Sequence, residues 1–396
     1  MIILGIETSC DETAVCLIET NDKSVKIIGN QLYSQIALHT QYGGVFPMMA
    51  KREHAKNLVP LLQKCLEESK FFKLKVENQK LKVLTEEKIE MVKQILSREN
   101  DLFDDLMKLA EKIEKPQIDA IAVTNGPGLE PALWVGVCFA KALSKLWDIP
   151  VFPTNHMEGH ILVSELKPKN ENAEKTTEYT INQTDYPAIA LLISGGHTQL
   201  VLVENSLEYK IIGSTRDDAI GEAYDKVARI LGLPYPGGPQ ISKLAEKERQ
   251  EFPNKIPPFP LPRPMIHSHN FDFSFSGIKT AVLYTTQKIE KITDSVKQEI
   301  AKEFEDAVVE VIIKKTSEAV EKYNAKEIII GGGVSANKKI RKDFEELANN
   351  IGIKLSVPEI SASTDNAFMI ALAGYVNILS GKKPETDFKA SGNLSL

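Results

Sequence analysis

Two stretches of this chain repeat one another's plan, and that repetition narrows the available folds more than any single motif. Ile2-Ile3-Leu4-Gly5-Ile6, a polar turn Glu7-Thr8-Ser9-Cys10-Asp11-Glu12-Thr13 and Ala14-Val15-Cys16-Leu17-Ile18 read as two strands around a tight loop. The same plan returns in Ile189-Ala190-Leu191-Leu192-Ile193, the turn Ser194-Gly195-Gly196-His197-Thr198-Gln199 and Leu200-Val201-Leu202-Val203. A second echo pairs the apolar run 118–123 and Asn125-Gly126-Pro127-Gly128 with the run 325–330 and Gly331-Gly332-Gly333-Val334-Ser335-Ala336-Asn337, each a strand, a glycine turn and a helix. Glycines at such turns let backbone N–H groups approach a phosphate, and the helix N-terminus adds favourable potential. The expected fold is therefore α/β, with two duplicated lobes clamping a phosphorylated ligand in a cleft between them. A chain of 396 residues is long enough for two such lobes. The expected division is 1–152 for the first lobe, 153–363 for a second lobe carrying the metal and nucleotide motifs, and 364–396 for a C-terminal helix returning to the first.

The pentad His156-Met157-Glu158-Gly159-His160 follows the apolar Ile149-Pro150-Val151-Phe152-Pro153, which reads as a strand. The histidines thus open a helix at a strand's exit, where sites in α/β folds tend to lie. A helix advances about 100° per residue, so a spacing of four puts both imidazoles on one face. Two histidines leave most of a coordination sphere open. A third protein ligand is expected from elsewhere, with Asp365 the candidate and the remaining positions free for substrate oxygens. Asp365 also suits an N-terminal cap for the apolar helix through Met369, Ile370 and Leu372, a role compatible with ligation. A metalloprotease of the HExxH kind is a rival reading, but there the glutamate follows the first histidine by one residue. Glu158 follows His156 by two, roughly 200° around the helix.

Composition limits the setting. The chain runs straight into Ile2-Ile3-Leu4 with no basic leader, and no apolar run approaches the roughly 18–20 residues that span a bilayer, so a cytoplasmic protein with no membrane partner is expected. Cys10, Cys16, Cys65 and Cys138 fit neither a disulfide framework nor a CxxC zinc site. A net charge of −6 offers no general footprint for nucleic acid, so any RNA must meet a local basic patch or be recruited by another protein. Three segments read as additions: 70–114, one or two amphipathic helices, as in a hairpin; 165–186, a polar mobile loop; and 253–264, whose six prolines make an extended strap.

Taken together, the segments ILGIETSCDETAV, NQLYSQ, HMEGH, LLISGGHTQL, GEAYDKVARILGLPYPGGP, FSFSGIKTA, EDAVV, GGGVSAN and STDNAFMIA resemble the tRNA threonylcarbamoyladenosine-synthesis family, in particular its bacterial and organellar TsaD-type branch. The resemblance covers the chain apart from the insertions. It implies the actin-like ATPase fold shared with sugar kinases. It also implies transfer of a threonylcarbamoyl group from threonylcarbamoyl-AMP to the exocyclic amine of the adenosine 3′ of the anticodon, in tRNAs reading codons that begin with A. His156, His160 and Asp365 would bind one divalent metal, Fe2+ before Zn2+. Leu192, Ile193, Ser194, Gly195, Gly196, Asp225, Gly238, Ser242 and Asn337 would bind the adenylate. Implied partners are tRNA, a paralogous actin-like subunit and a small P-loop-type ATPase. Asp11 and Glu12 are the candidates for taking the proton from the attacking amine. An actin-like kinase or ATPase, or a scaffold that binds nucleotide without turnover, remains an alternative on these residues; the imidazole pair separates the first of these, since such enzymes usually hold Mg2+ through carboxylates and phosphates. Two features depart from the family pattern: the insert at about 73–112, and Glu130-Pro131, where smaller residues are common.

Overall fold

The computed structural model describes residues 1–21, 23–75, 85–170 and 176–396 and divides into two compact units. The first comprises Met1–Asn182 with Asp365–Leu396, the second Gln183–Thr364. The boundary thus falls 30 residues later than the expected one after residue 152, and the HMEGH pentad belongs to the first unit.

The first unit is built on a seven-stranded sheet formed by β1 (Ile2–Glu7), β2 (Glu12–Asn21), β3 (Ser24–Ser34), β4 (Ala120–Gly126), β5 (Val151–Asn155), β6 (Leu166–Pro168) and β7 (Glu178–Ile181). Its order is β5-β4-β1-β2-β3-β7-β6. β1, β2 and β3 form an antiparallel meander, and β4 and β5 add in parallel on the other side of β1. β6 and β7 correct the loop expected at 165–186: β7 pairs antiparallel with the outer edge of β3, and β6 with β7. An open edge on a long strand offers unpaired N–H and C=O groups, and a short polar segment can satisfy them. Residues 171–175 of that stretch, and 76–84 of the charged insert, lie outside the described residues.

Alternation along β1 decides which layer each residue meets. Leu4 and Ile6 join Val15, Leu17 and Val123 in a core shared with the helices Pro47–Glu68 and Glu130–Trp147. Two helices of the insert, Glu86–Ile95 and Asn100–Lys112, form the expected hairpin and add Val92, Leu102, Leu106 and Leu109 to this core. Glu130 and Pro131 start the Glu130–Trp147 helix, and Pro131 sits in the first turn, where its missing N–H leaves no bond unmade.

The opposite face of the sheet receives the helix Ala367–Leu379, packed on β1, β2, β4 and β5. That approach depends on small residues. A Cβ on Gly5 would fall on the Ala367 carbonyl oxygen, and one on Gly374 would meet the Ala122 methyl.

The second unit repeats the plan with β8 (Ala188–Ile193), β9 (Thr198–Asn205), β10 (Glu208–Ser214), β11 (Glu327–Gly331) and β12 (Lys354–Ser356). Read from β12, its order 12-11-8-9-10 reproduces 5-4-1-2-3 of the first sheet, with the same parallel and antiparallel pairs. The duplication inferred from the two echoes is therefore present strand for strand. The proline-rich stretch 253–264 has no helix or strand, and Lys255 and Arg263 tie it by ion pairs to Glu299, Glu303 and Glu310 of the helix Asp294–Tyr323. Among the described residues no helix is long and apolar enough to cross a membrane.

The contact between β1 and the Ala367–Leu379 helix is testable. Gly5→Ala forces the helix off the sheet and is expected to cost about 1–3 kcal/mol in denaturant unfolding; a loss below about 0.5 kcal/mol would mean that the two backbones do not approach this closely.

Candidate functional site

The metal-ligand candidates are set by two chain ends that meet on the first sheet. β5 stops at Asn155, whose side chain accepts the N–H groups of Met157 (2.9 Å) and Glu158 (3.4 Å) and so starts the helix His156–Ser164 at the first histidine. The two imidazoles lie on successive turns, edge to face with centroids 4.7 Å apart. Gly159 between them faces Met369 and Ile370 without a side chain, so the helix can lie against Ala367–Leu379. Asp365 precedes that second helix. Its cap is Asn366, which accepts the Met369 N–H at 2.9 Å, so the capping role considered for Asp365 belongs to its neighbour.

Asp365 Oδ1 lies 3.4 Å from His156 Nε2 and 3.2 Å from His160 Nε2, and one donor atom from each of the three residues falls within 4.8 Å of the others. Both histidines are buried, whereas the Asp365 side chain keeps 19% of its surface, which leaves the group open on that side. Behind it lies Glu7, which sequence reasoning placed in a turn; it is the fully buried last residue of β1. Its Oε2 is 3.1 Å from His156 Nδ1 and accepts the Thr124 hydroxyl, and its Oε1 accepts the Ser9 N–H. A carboxylate ending an otherwise apolar strand was the available signal.

Electrostatics follow from this crowding. Burial works against a charged His156, yet Asp365 and Glu7 outweigh it and hold its pKa well above the ordinary value. Burial keeps His160 below the ordinary value, hence neutral with a lone pair to donate. For Asp365 burial is outweighed by His156 and then His160, and its carboxyl stays ionised. Two imidazoles and a carboxylate with further positions open form a donor set suited to a divalent transition metal, which would displace the His156 proton. Glu7 takes the place of the outer carboxylate that commonly orients a ligating histidine. Glu158 points elsewhere: Asn377 donates to its Oε1 at 2.7 Å and burial pushes its carboxyl up to about 7. It is thus not placed as an HExxH base.

Asp11 lies in the β1–β2 turn, and Glu12 opens β2. The turn is held by the Gln35 N–H on the Asp11 carbonyl (2.9 Å) and by His54 Nε2 at 3.0 Å from the Cys10 carbonyl. Burial, and then the charges of Asp11 and Asp365, push Glu12 up to about 10.

The glycine turns of the two units have diverged. In the first, the Gly128 N–H donates to the Gly392 carbonyl, the Leu129 N–H donates to the Ser9 carbonyl, and a Cβ on Gly126 would strike the Ser391 carbonyl. This turn receives the chain's own C-terminal segment, which overturns the expectation that it cradles a phosphate. In the second unit, ideal Cβ positions on Gly195, Gly196, Gly238 and Gly333 meet nothing within 4 Å, so backbone there is open to a ligand. Leu192 and Ile193 are buried at the end of β8, and the Ser194 N–H and hydroxyl close the turn onto His197. Asp225 Oδ1 accepts the Gly237 N–H at 2.7 Å. The next residue, Lys226, pairs with Asp218 and Glu222. Asn337 caps the helix Lys338–Ile351 through the Ile340 N–H and donates to Ser242 Oγ at 2.8 Å.

Comparisons with known proteins agree with this architecture. A full-length HypF structure in a phosphate- and nucleotide-bound form superposes with a TM-score of 0.51 at 10% identity, over 97% of this chain and 47% of that one. The likeness shows the fold, the actin-like ATPase fold expected from the sequence. The chain is similar to the tRNA N6-adenosine threonylcarbamoyltransferase of Thermosipho africanus (40% identity, all of both chains). It is likewise similar to that of Chromobacterium violaceum (39%, covering 96% of this chain and 93% of the relative). The family model described as TsaD, tRNA N6-adenosine threonylcarbamoyltransferase, matches residues 26–78 and 92–372, and its gap falls inside the charged insert. With both matches running nearly the whole length, the chain belongs to the TsaD family of tRNA N6-adenosine threonylcarbamoyltransferases.

Proposed function

We propose that this protein transfers the threonylcarbamoyl group of threonylcarbamoyl-AMP to N6 of the adenosine 3′ of the anticodon in tRNAs reading ANN codons. The bond from the carbamoyl carbon to the phosphate oxygen breaks, a bond to N6 forms, N6 loses a proton and AMP leaves. The observation that carries this reading is the full-length family match, together with His156, His160 and Asp365 gathered within 4.8 Å.

His156, His160 and Asp365 would hold one divalent metal, Fe2+ in the first place and Zn2+ in the second. Bound there, the ion supplies Lewis acidity and a template for substrate oxygens. Glu7 orients His156, and Thr124 and Ser9 orient Glu7. Leu192, Ile193, Ser194, Gly195, Gly196, Asp225, Gly238, Ser242 and Asn337 are the adenylate-binding residues in this reading, supported by the open glycine backbones of the second unit. Asp11 or Glu12 takes the N6 proton in this reading, and the burial that pushes Glu12 up to about 10 favours Asp11 for the task. A paralogous actin-like subunit and a small P-loop ATPase act with it, in the cytoplasm where tRNA is available. The test is modified adenosine formed from threonylcarbamoyl-AMP and tRNA by the protein alone and with those partners; none in either case would overturn the reading.

Replacing His156 and His160 together by Ala is expected to take metal content from about one per chain to near zero and transfer down at least about 100-fold, with the melting curve still cooperative. Elemental analysis and the transfer assay on one preparation check this, and full activity in the double variant would remove the metal from the reaction. Asp11→Asn is expected to slow transfer about 10²–10⁴-fold, whereas Glu12→Gln, which resembles the protonated acid, stays within about threefold. The same shift sets a stability trend. A carboxyl held at about 10 when folded and about 4.3 when free favours the native state fully below the lower value and loses that preference as pH rises toward the upper. Glu12→Gln should therefore melt above the wild type at pH 8, the gap narrowing toward pH 5.

A further inference from the structure

The EDAVV segment places Glu305 in the middle of the helix Asp294–Tyr323, with its side chain 1% exposed. Its Oε1 accepts from Asn337 Nδ2 (2.6 Å), from the Ser242 hydroxyl (2.8 Å) and from the Tyr224 hydroxyl (3.4 Å). Its Oε2 pairs with Arg249 at 2.5 Å, and the other arm of that guanidinium pairs with Asp306. Removing an ion from water is costly, and an apolar side chain could fill such a position at equal or better stability. What a carboxylate adds is direction, because it can only accept.

That direction is imposed on every helical segment read above as adenylate-binding. The Asn337 amide has both N–H groups committed, to Glu305 and Ser242, so its nitrogen faces Glu305 and its oxygen faces the Ile340 N–H. The Ser242 proton is likewise committed, one helical turn beyond Gly238. Tyr224 immediately precedes Asp225, whose carboxylate in turn holds the N–H of Gly237. Three separate helix segments, Ile220–Ile230, Gly237–Glu251 and the start of Lys338–Ile351, thus converge on one buried carboxylate from a fourth.

We propose that Glu305 is a positioning residue for the adenylate, setting the amide orientation of Asn337, the hydroxyl direction of Ser242 and the spacing of the segments that carry Asp225 and Gly238. This rests on the reading of those four residues as adenylate-binding, and the test separates the two claims. Glu305→Gln keeps the volume but offers donors where only acceptors stood. It is expected to raise the KM for threonylcarbamoyl-AMP and weaken AMP binding by calorimetry about tenfold each, with kcat within about twofold. Glu305→Asp keeps the charge and shortens the reach; it should give a smaller rise of the same kind, and it serves if the amide variant does not fold. Glu303→Gln is the control, since Glu303 is equally buried on the same helix but holds Arg263 and the Leu261 N–H of the proline strap. It should lower the melting temperature and leave KM unchanged. If Asn337→Ala raises KM while folded Glu305→Gln or Glu305→Asp leaves it unchanged, the positioning role is overturned. If Asn337→Ala itself has no effect on KM or AMP binding, the adenylate assignment fails, and the proposal with it.

Discussion

Two carboxylates and two imidazoles share one small volume in the first unit, and much of that unit is arranged around keeping them together. Glu7 is fully buried and Asp365 is partly so, and charge in such surroundings persists only when paired and hydrogen-bonded. His156 lies between them, one ring nitrogen toward each. Glu7 must end β1, Thr124 must stand beside it on β4, and Asp365 must come back from more than 200 residues away to the start of another helix. Remove any one member and the others are left as uncompensated polar groups.

Holding the distant member in place is a matter of packing. Asp365 is carried by the helix Ala367–Leu379, which lies on β1 through Gly5, on β4 through Gly374 and Ala122, and on the histidine helix through Gly159. Side chains at these points would separate the backbones and draw the carboxylate from the imidazoles. The chemistry of the cluster and the closeness of one helix to one sheet are therefore a single constraint.

Duplication supplied both units with the same strand order, and their glycine turns then took different work. The turn after β4 is filled by the chain's own C-terminal segment, whereas the turns after β8 and β11 keep backbone that no side chain covers. In the second unit a buried acid again organises the surroundings: Glu305 draws a tyrosine, a serine, an asparagine and an arginine from three helices, as Glu7 and Asp365 draw histidines and a threonine in the first.

Periodicity and turn chemistry alone determined a good part of this molecule. The paired hairpins, the strand–glycine–helix repeats, the helical hairpin of the insert and the common face of His156 and His160 are local consequences of alternation, of about 3.6 residues per turn and of cap preferences. The motifs also carried the family. Tertiary structure decided what depends on distant partners. Residues 165–186 gain strands because β3 has an edge to fill, the pentad belongs to the first unit because β5 pairs with β4, and Asn366 rather than Asp365 caps its helix. The turn at Gly126 and Gly128 reads as a phosphate loop until the C-terminal segment is seen in it. Glu7 and Glu305 look like ordinary acids in the sequence, because what makes each of them matter is burial against groups brought in from elsewhere in the chain.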